Sequence, residues 1–182
     1  ERFYQHNGVD VPGVIRALVT NLTTGRTEGA STLTMQYIRN TILADDPERF
    51  QTSYRRKARE AMLALELEKK YSKDEILSMY INTVYYGEGA YGAEAAALTF
   101  FNKHASELTI AEAALLAGLP QAPARLNPYD NAEGAVARRQ WVLSKMYEQG
   151  YITSDEYEAA KVEPLSLGKS PTLDEQGVYA AP

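Results

Sequence analysis

Three capping-box signatures do most to constrain what this chain can fold into. Ser72-Lys73-Asp74-Glu75, Thr109-Ile110-Ala111-Glu112 and Thr153-Ser154-Asp155-Glu156 each set a hydroxyl residue three positions before a glutamate, at the edge of an apolar-periodic run. The hydroxyl accepts from the third backbone N–H while the glutamate reaches back to the first, so each signature marks a helix start. Helices are therefore predicted from these points to about Ile81, to Gly118 with Pro120 just beyond, and to about Lys161. Asp10, ahead of Val11-Pro12, is a further N-cap, for a helix through about Leu22. Its apolar positions Val14, Ile15, Leu18, Val19 and Leu22 keep helical spacing. Ser31 or Thr32 can cap the next helix, to about Leu43, and Asp45-Asp46-Pro47 breaks the chain.

The longest helical pattern covers residues 52–71, with Ala58, Met62 and Leu65 expected on its buried side. Further helices are predicted over Ala93 to about Phe101 and Asn131 to about Gln149, the latter closing at Gly150. Gly87, Gly89 and Gly92, with tyrosines between them, read as a loop, and Gln121 to Pro128 as a proline-marked loop. Strand signals are weak and no repeat occurs. The expected class is mainly α, with several short helices and functional loops.

Length and charge narrow the function. A chain of 182 residues can bury one real core, and 45% hydrophobic with 24% charged residues excludes a disordered tail as its main content. The domain is expected over 1–165. Beyond Pro164 the composition turns to Ser, Gly, Pro and Lys, so 166–182 reads as a linker or tail toward a further domain. The first residue is Glu rather than Met, which suggests a piece of a longer or processed chain. No apolar run reaches the roughly 18 residues of a membrane span. The net charge of −5 argues against a general nucleic-acid binder. Positive charge is instead local: Arg49, Arg55, Arg56, Lys57 and Arg59 follow one another with no acid between them, which suits a focused anion site. Without cysteine there is neither a disulfide framework nor a thiolate metal site, and this fits an extracytoplasmic home.

Candidate chemistry gathers between Gly29 and Glu60. Arg56 and Lys57 lie four and three residues before Glu60, one turn away on a shared helix face. Glu60 is then expected to act as a charged base or electrostatic stabiliser; the alternative is an ordinary surface ion pair. Gln36, Arg39 and Asn40 share a face by the same spacing, and could grip diphosphate oxygens or sugar hydroxyls or simply form an exposed polar face. Ser31, Thr32 and Thr34 could offer hydroxyls and N–H groups to an anion at a helix start, or cap that helix. Tyr80, Asn82, Tyr85, Tyr86 and Tyr91 surround the glycine loop, where aromatic rings beside polar groups suit sugar binding or interfacial packing. His6 and His104 are the only histidines, so a His-rich metal site is excluded, a Ser-His-Asp triad lacks support, and His104 reads as a surface loop residue.

In combination these stretches resemble the peptidoglycan glycosyltransferase domain of class A penicillin-binding proteins and their monofunctional relatives, over about residues 1–165. The first motif looks like Phe3-Tyr4-Gln5-His6-Asn7-Gly8-Val9-Asp10. The second resembles Gly29-Ala30-Ser31-Thr32-Leu33-Thr34-Met35-Gln36 with Arg39-Asn40, and the third Arg56-Lys57-Ala58-Arg59-Glu60. The fourth runs from Lys73 to Gly92, and the fifth from Ala113 to Pro128, including Leu119-Pro120-Gln121-Ala122-Pro123 and Asn127-Pro128.

The resemblance implies a lysozyme-like helical lobe with a small membrane-facing lobe, on the extracytoplasmic face of a bacterial cell membrane. It implies polymerisation of lipid II with inversion, the growing lipid-linked glycan chain as donor and undecaprenyl diphosphate as leaving group. Glu60 would be the catalytic residue retained here, near the donor. Lys57 and Arg39 would stabilise the diphosphate, and Ser31, Thr32, Gln36, Asn40, Arg56 and Asn82 would complete the substrate site. It also implies a C-terminal transpeptidase domain in the parent and sensitivity to moenomycin-type inhibitors. No cofactor is required, although a divalent cation could bridge diphosphate oxygens.

The chain departs from the family pattern at several positions. Ala30 stands where Gly is usual, Met35 where Gln is usual, and Arg39 where Lys is usual. The stretch from Leu43 to Tyr54 is longer than typical, so Arg49 and Arg55 both qualify as the additional phosphate contact. The family's first-motif glutamate, the base for the acceptor 4-hydroxyl, falls two residues upstream of Glu1. The chain as given is therefore expected to be inactive unless Glu1 substitutes; robust polymerisation by it, next to an upstream-extended form, overturns that expectation. The competing functions are a peptidoglycan-cleaving lysozyme or lytic transglycosylase, and a non-catalytic module that holds a lipid-linked precursor. A cleaving enzyme needs a raised-pKa acid in an apolar pocket, the reverse of a glutamate beside Arg56 and Lys57. Muropeptide release from sacculi would favour the first, binding without turnover the second.

Overall fold

Each capping box begins a helix in the computed structural model, which describes residues 2–24, 29, 31–45 and 54–168. Helix α4, Lys73–Ile81, starts where Ser72 N–H donates to Glu75 Oε2 at 2.7 Å and the Ser72 hydroxyl accepts from Glu75 N–H at 3.3 Å. Thr109 with Glu112 opens α6, Ile110–Gly118, and Thr153 with Glu156 opens α8, Ser154–Val162, in the same way. The expected class, mainly α, holds. Glu1, Ala30, the Asp46-Pro47 break, Arg49 and the tail from 169 onward lie outside the described residues.

The chain divides into two units, Glu1–Thr83 and Val84–Pro182. The first unit holds a 3-10 turn at Phe3–Gln5, α1 at Val11–Thr24, α2 at Leu33–Asn40, α3 at Tyr54–Lys70, and α4. Asp10 caps α1: its Oδ1 accepts from Gly13 N–H at 3.1 Å and from Arg2 Nη2 at 2.8 Å. The Arg2 hydrogen bond is the main cause holding the Asp10 carboxyl below its usual range. The core of this unit joins Met35 and Ile38 of α2, Leu43 in the turn that follows, and Ala64 of α3, with Val9, Tyr37, Ala61, Leu63 and Leu67 packed around them. Gly8 has φ +82°, and a Cβ there would lie 2.9 Å from the Ala64 carbonyl, so the first segment touches the α3 backbone through a residue that must be glycine.

Helix α3 departs from the sequence expectation. Its buried residues are Arg56, Glu60 and Ala64, whereas Ala58, Met62 and Leu65 are exposed. Arg56 and Glu60 turned inward because α2 offers them partners, as described below, alongside Ala61, Leu63, Ala64 and Leu67, and Ala58, Met62 and Leu65 face outward. Several large apolar side chains of α1 are likewise exposed, Val11 at 59%, Ile15 at 57%, Val19 at 54% and Leu22 at 78%, while Ala17 is buried. No helix among the described residues is long and apolar enough to cross a membrane.

The second unit begins with a hairpin where a loop was expected. Strand β1, Tyr85–Gly87, pairs antiparallel with β2, Ala90–Tyr91, through Tyr85↔Tyr91 and Gly87↔Ala90. Turn glycines with positive φ at Gly87 and Gly89 permit the reversal. Tyr85 and Tyr91 stack across the strands at 4.9 Å, while Tyr86 is buried and its phenol is pushed up to about 12 by desolvation. Helix α5 spans Ala93–Phe101 and α7 spans Ala132–Glu148, capped by Asn131. Ala111 and Ala114 of α6, Leu143 of α7, and Ile152 and Ala160 at α8 form the core of this unit. Residues 163–168 leave α8 extended and are tied back: Arg139 Nη2 donates to the Glu163 carbonyl at 2.8 Å, and Gly168 N–H to the Phe100 carbonyl at 2.7 Å.

Candidate active site

The site is a buried carboxylate ringed by cations where α2 meets α3. Three residues and four residues are the offsets that put Lys57 and Arg56 beside Glu60 on one helix. Arg56 Nε lies 3.1 Å from Glu60 Oε1 and Lys57 Nζ 3.2 Å from Oε2. From α2, Arg39 Nη1 reaches within 4.0 Å of Oε1. The Glu60 side chain has no exposure, whereas Arg39 is 24% and Lys57 40% exposed. A surface ion pair is thereby ruled out. The carboxylate lies beneath cations that reach toward solvent.

The start of α2 closes the site. Lys57 Nζ donates to Ser31 Oγ, joining the turn before α2 to α3. Gln36 Nε2 donates to the Ser31 carbonyl at 3.4 Å, and the Tyr80 hydroxyl donates to Gln36 Oε1 at 3.4 Å. Ser31, Gln36, Arg39, Arg56, Lys57 and Glu60, singled out in sequence as separate groups, are thus brought together. Tyr80 joins them from α4, which only the packing of α4 against α2 reveals.

Four of the candidates are not among the contacts of this cluster. Thr32 is 1% exposed, and its hydroxyl is committed within the protein: it accepts from Met35 N–H at 3.2 Å and donates to the Gly8 carbonyl at 2.7 Å. It is the N-cap of α2 and ties α2 to the first segment, so the capping alternative is the one realised. Asn40 is exposed as the last residue of α2. Asn82 caps the end of α4, its Nδ2 donating back to the Ser78 carbonyl at 2.9 Å. Arg55 is exposed at the start of α3. Met35, the apolar departure from the family motif, is 5% exposed and part of the core, away from the cations.

Three cations against one carboxylate leave two positive charges at this end of the unit. Because Glu60 holds the cations in place before any ligand arrives, they can accept an anion without reorganising, which is the condition for strong electrostatic stabilisation. Two formal charges and a serine hydroxyl fit a diphosphate better than a carboxylate. Among the described residues, no group of three or more His, Asp or Glu is placed to hold a metal ion. His104 is where a surface residue was expected: its Nδ1 lies 2.6 Å from Glu94 Oε1 at an exposed corner of the second unit.

The family model described as Transglycosylase matches residues 1–147. The chain is similar to a Cupriavidus necator protein named as a transglycosylase, 47% identical over 92% of this chain and 70% of that one. It is similar to penicillin-binding protein 1A of Aquifex aeolicus, 44% identical over 92% of this chain and 22% of that one. The solved structure of penicillin-binding protein 1A from Haemophilus influenzae superposes with a TM-score of 0.52 at 33% identity, over 76% of this chain and 17% of that one. The chain thus spans about a fifth of the penicillin-binding relatives it matches. A family match over residues 1–147 and relatives above 40% identity decide the assignment: the chain belongs to the transglycosylase family, as a peptidoglycan glycosyltransferase domain like that of class A penicillin-binding proteins.

Proposed function

We propose that this chain forms the donor side of a lipid II polymerase, in which the Arg39–Arg56–Lys57 cluster over Glu60 takes up charge on the departing undecaprenyl diphosphate. The observation that carries this reading is the buried Glu60 beneath three cations, two of them partly open to solvent. In inverting transfer the acceptor hydroxyl forms a bond to the anomeric carbon as the bond to the diphosphate oxygen breaks. The acceptor proton goes to a base, and the developing negative charge falls on the leaving group. Prepositioned cations lower that barrier. Glu60, with no exposed atom, acts by holding Arg39, Arg56 and Lys57 in place. Ser31 and Gln36 line the same turn and suit the diphosphate oxygens or adjoining sugar hydroxyls. The cations supply the neutralisation that a bridging divalent ion would otherwise provide, so no step is routed through a metal.

The exposed apolar side chains of α1 support a membrane-facing role for the first unit, because a lipid-linked substrate is met at a bilayer surface. The same reading places the protein on the extracytoplasmic side, next to a transpeptidase domain in a longer parent, and makes diphosphate-like moenomycin-type inhibitors competitors for the cation cluster. A cleaving enzyme is disfavoured by the ring of charge around Glu60, since it needs an acid kept protonated by apolar surroundings.

The test is consumption of lipid II by the full-length protein and by its Lys57→Ala variant. Loss of a preorganised charge at the leaving group predicts a fall in kcat of about 10²-fold or more. Release of muropeptides from purified sacculi, with lipid II left intact by the unsubstituted protein, would overturn the assignment.

A further inference from the structure

We propose that Lys73, through a buried pair with Glu68, is a positioning residue that sets where the first turn of α2 sits against α3, and so sets the Ser31–Lys57–Glu60 geometry; this rests on the transferase reading above. Glu68 lies eight residues beyond Glu60 on α3, about 12 Å along the helix. Its side chain is 4% exposed. One carboxylate oxygen accepts from the Thr34 hydroxyl at 2.6 Å, and the other pairs with Lys73 Nζ at 2.8 Å. The same ammonium lies 4.4 Å from the centroid of the Phe3 ring, which is itself buried. Next to it on α4, Asp74 Oδ1 accepts from the Tyr4 hydroxyl at 2.9 Å.

A buried ion pair adds little net stability, because desolvating both charges offsets their attraction. What this pair contributes is position. The Glu68 carboxylate bridges α2 and α4, with one oxygen on the Thr34 hydroxyl and the other on Lys73 Nζ. The start of α2 is consequently fastened to α3 twice, by Ser31 to Lys57 at the candidate site and by Thr34 to Glu68 behind it. Thr34 and Ser31 lie three residues apart at that start. Without Lys73, Glu68 has no counter-charge. The carboxylate is then drawn toward water, which weakens its hold on Thr34. The turn bearing Ser31 then loses one of its two side-chain ties to α3 and keeps the Ser31–Lys57 bond and the Thr32 bond to the Gly8 carbonyl.

The test compares full-length protein with its Lys73→Met, Lys73→Arg and Thr34→Val variants, none of which touches the cation cluster. Amide hydrogen exchange at residues 31–36 is expected to quicken in Lys73→Met and Thr34→Val, with the second unit unchanged. Well below each variant's melting point, kcat for lipid II is expected to fall about 10- to 100-fold, as displacement by about an ångström does. KM is expected to stay within about twofold, because an interaction realised in the transition state is lost. Lys73→Arg should recover most of the rate. Should Lys73→Met fail to fold, Thr34→Val carries the same comparison with a milder change. Unchanged exchange at 31–36, full kcat in a folded Lys73→Met or Thr34→Val, or no rescue by Lys73→Arg would each overturn the proposal. If the unsubstituted protein leaves lipid II untouched, the transferase reading falls, while the exchange measurement still decides whether Lys73 positions α2.

Discussion

At the scale of single residues, the chemistry depends on which charges are paired and how deeply. Glu60 has no exposure and is contacted by three cations, so Glu60→Gln keeps the shape but strips the cations of their counter-charge. Breaking a buried pair costs about 3–5 kcal/mol, and the low end applies here because Lys57 and Arg39 keep solvent contact. Urea denaturation should show that loss, together with a drop in lipid II turnover. A pH effect belongs to the other unit. The Glu94 carboxylate beside His104 raises the imidazole above 6.5, and the Ala105 N–H, followed by His104, lowers Glu94 below 4.5. The His104 contribution is complete below pH 6.5 and fades as pH rises through its raised value. The Glu94 contribution is complete above pH 4.5 and fades as pH falls through its lowered value. Thermal melts of the protein and of His104→Gln should therefore differ most between pH 4.5 and 6.5 and converge at alkaline pH.

At the scale of elements, helix starts were legible from local sequence and helix faces were not. Ser72, Thr109 and Thr153 begin helices as expected, since a cap depends only on a side chain and amides within one turn. The orientation of α3 depended on α2. With Ala58, Met62 and Leu65 on one side and Arg56 and Glu60 on another, the apolar stripe seemed the natural core face. Arg39, Ser31 and Thr34 of the α2 segment supply partners that make the charged side the buried one. The hairpin at Tyr85–Tyr91 was missed because a three-residue and a two-residue strand leave almost no alternation to detect. Helix α1 shows the expected spacing, with Val11, Ile15, Val19 and Leu22 exposed. If it meets a bilayer, Ile15→Asp should weaken cosedimentation with anionic lipid vesicles by roughly 10-fold, the worth of one buried aliphatic side chain, and leave the far-UV circular dichroism unchanged.

At the scale of the whole molecule, two units each carry a core of their own, around Ile38 and Ala64 in one and around Leu143 and Ala114 in the other. Ile38→Ala opens a cavity at a fully buried position and should cost about 2–5 kcal/mol. Hydrogen exchange should show that cost in the amides of the first unit and leave the core amides of the second protected; a uniform rise across both would mean that they unfold as one. The sequence alone determined where helices begin, that α1 presents a one-sided apolar face, and that Arg56, Lys57 and Glu60 meet on one helix. All of these follow from contacts within a turn or two of chain. Tertiary structure decided that Glu60 is buried instead of exposed, that Thr32 caps instead of facing a ligand, and that Arg39, Ser31 and Tyr80 complete the cluster. Burial and ion pairing are settled by groups far apart in sequence, and a charged face goes inside only when another element brings the charges and hydroxyls that satisfy it.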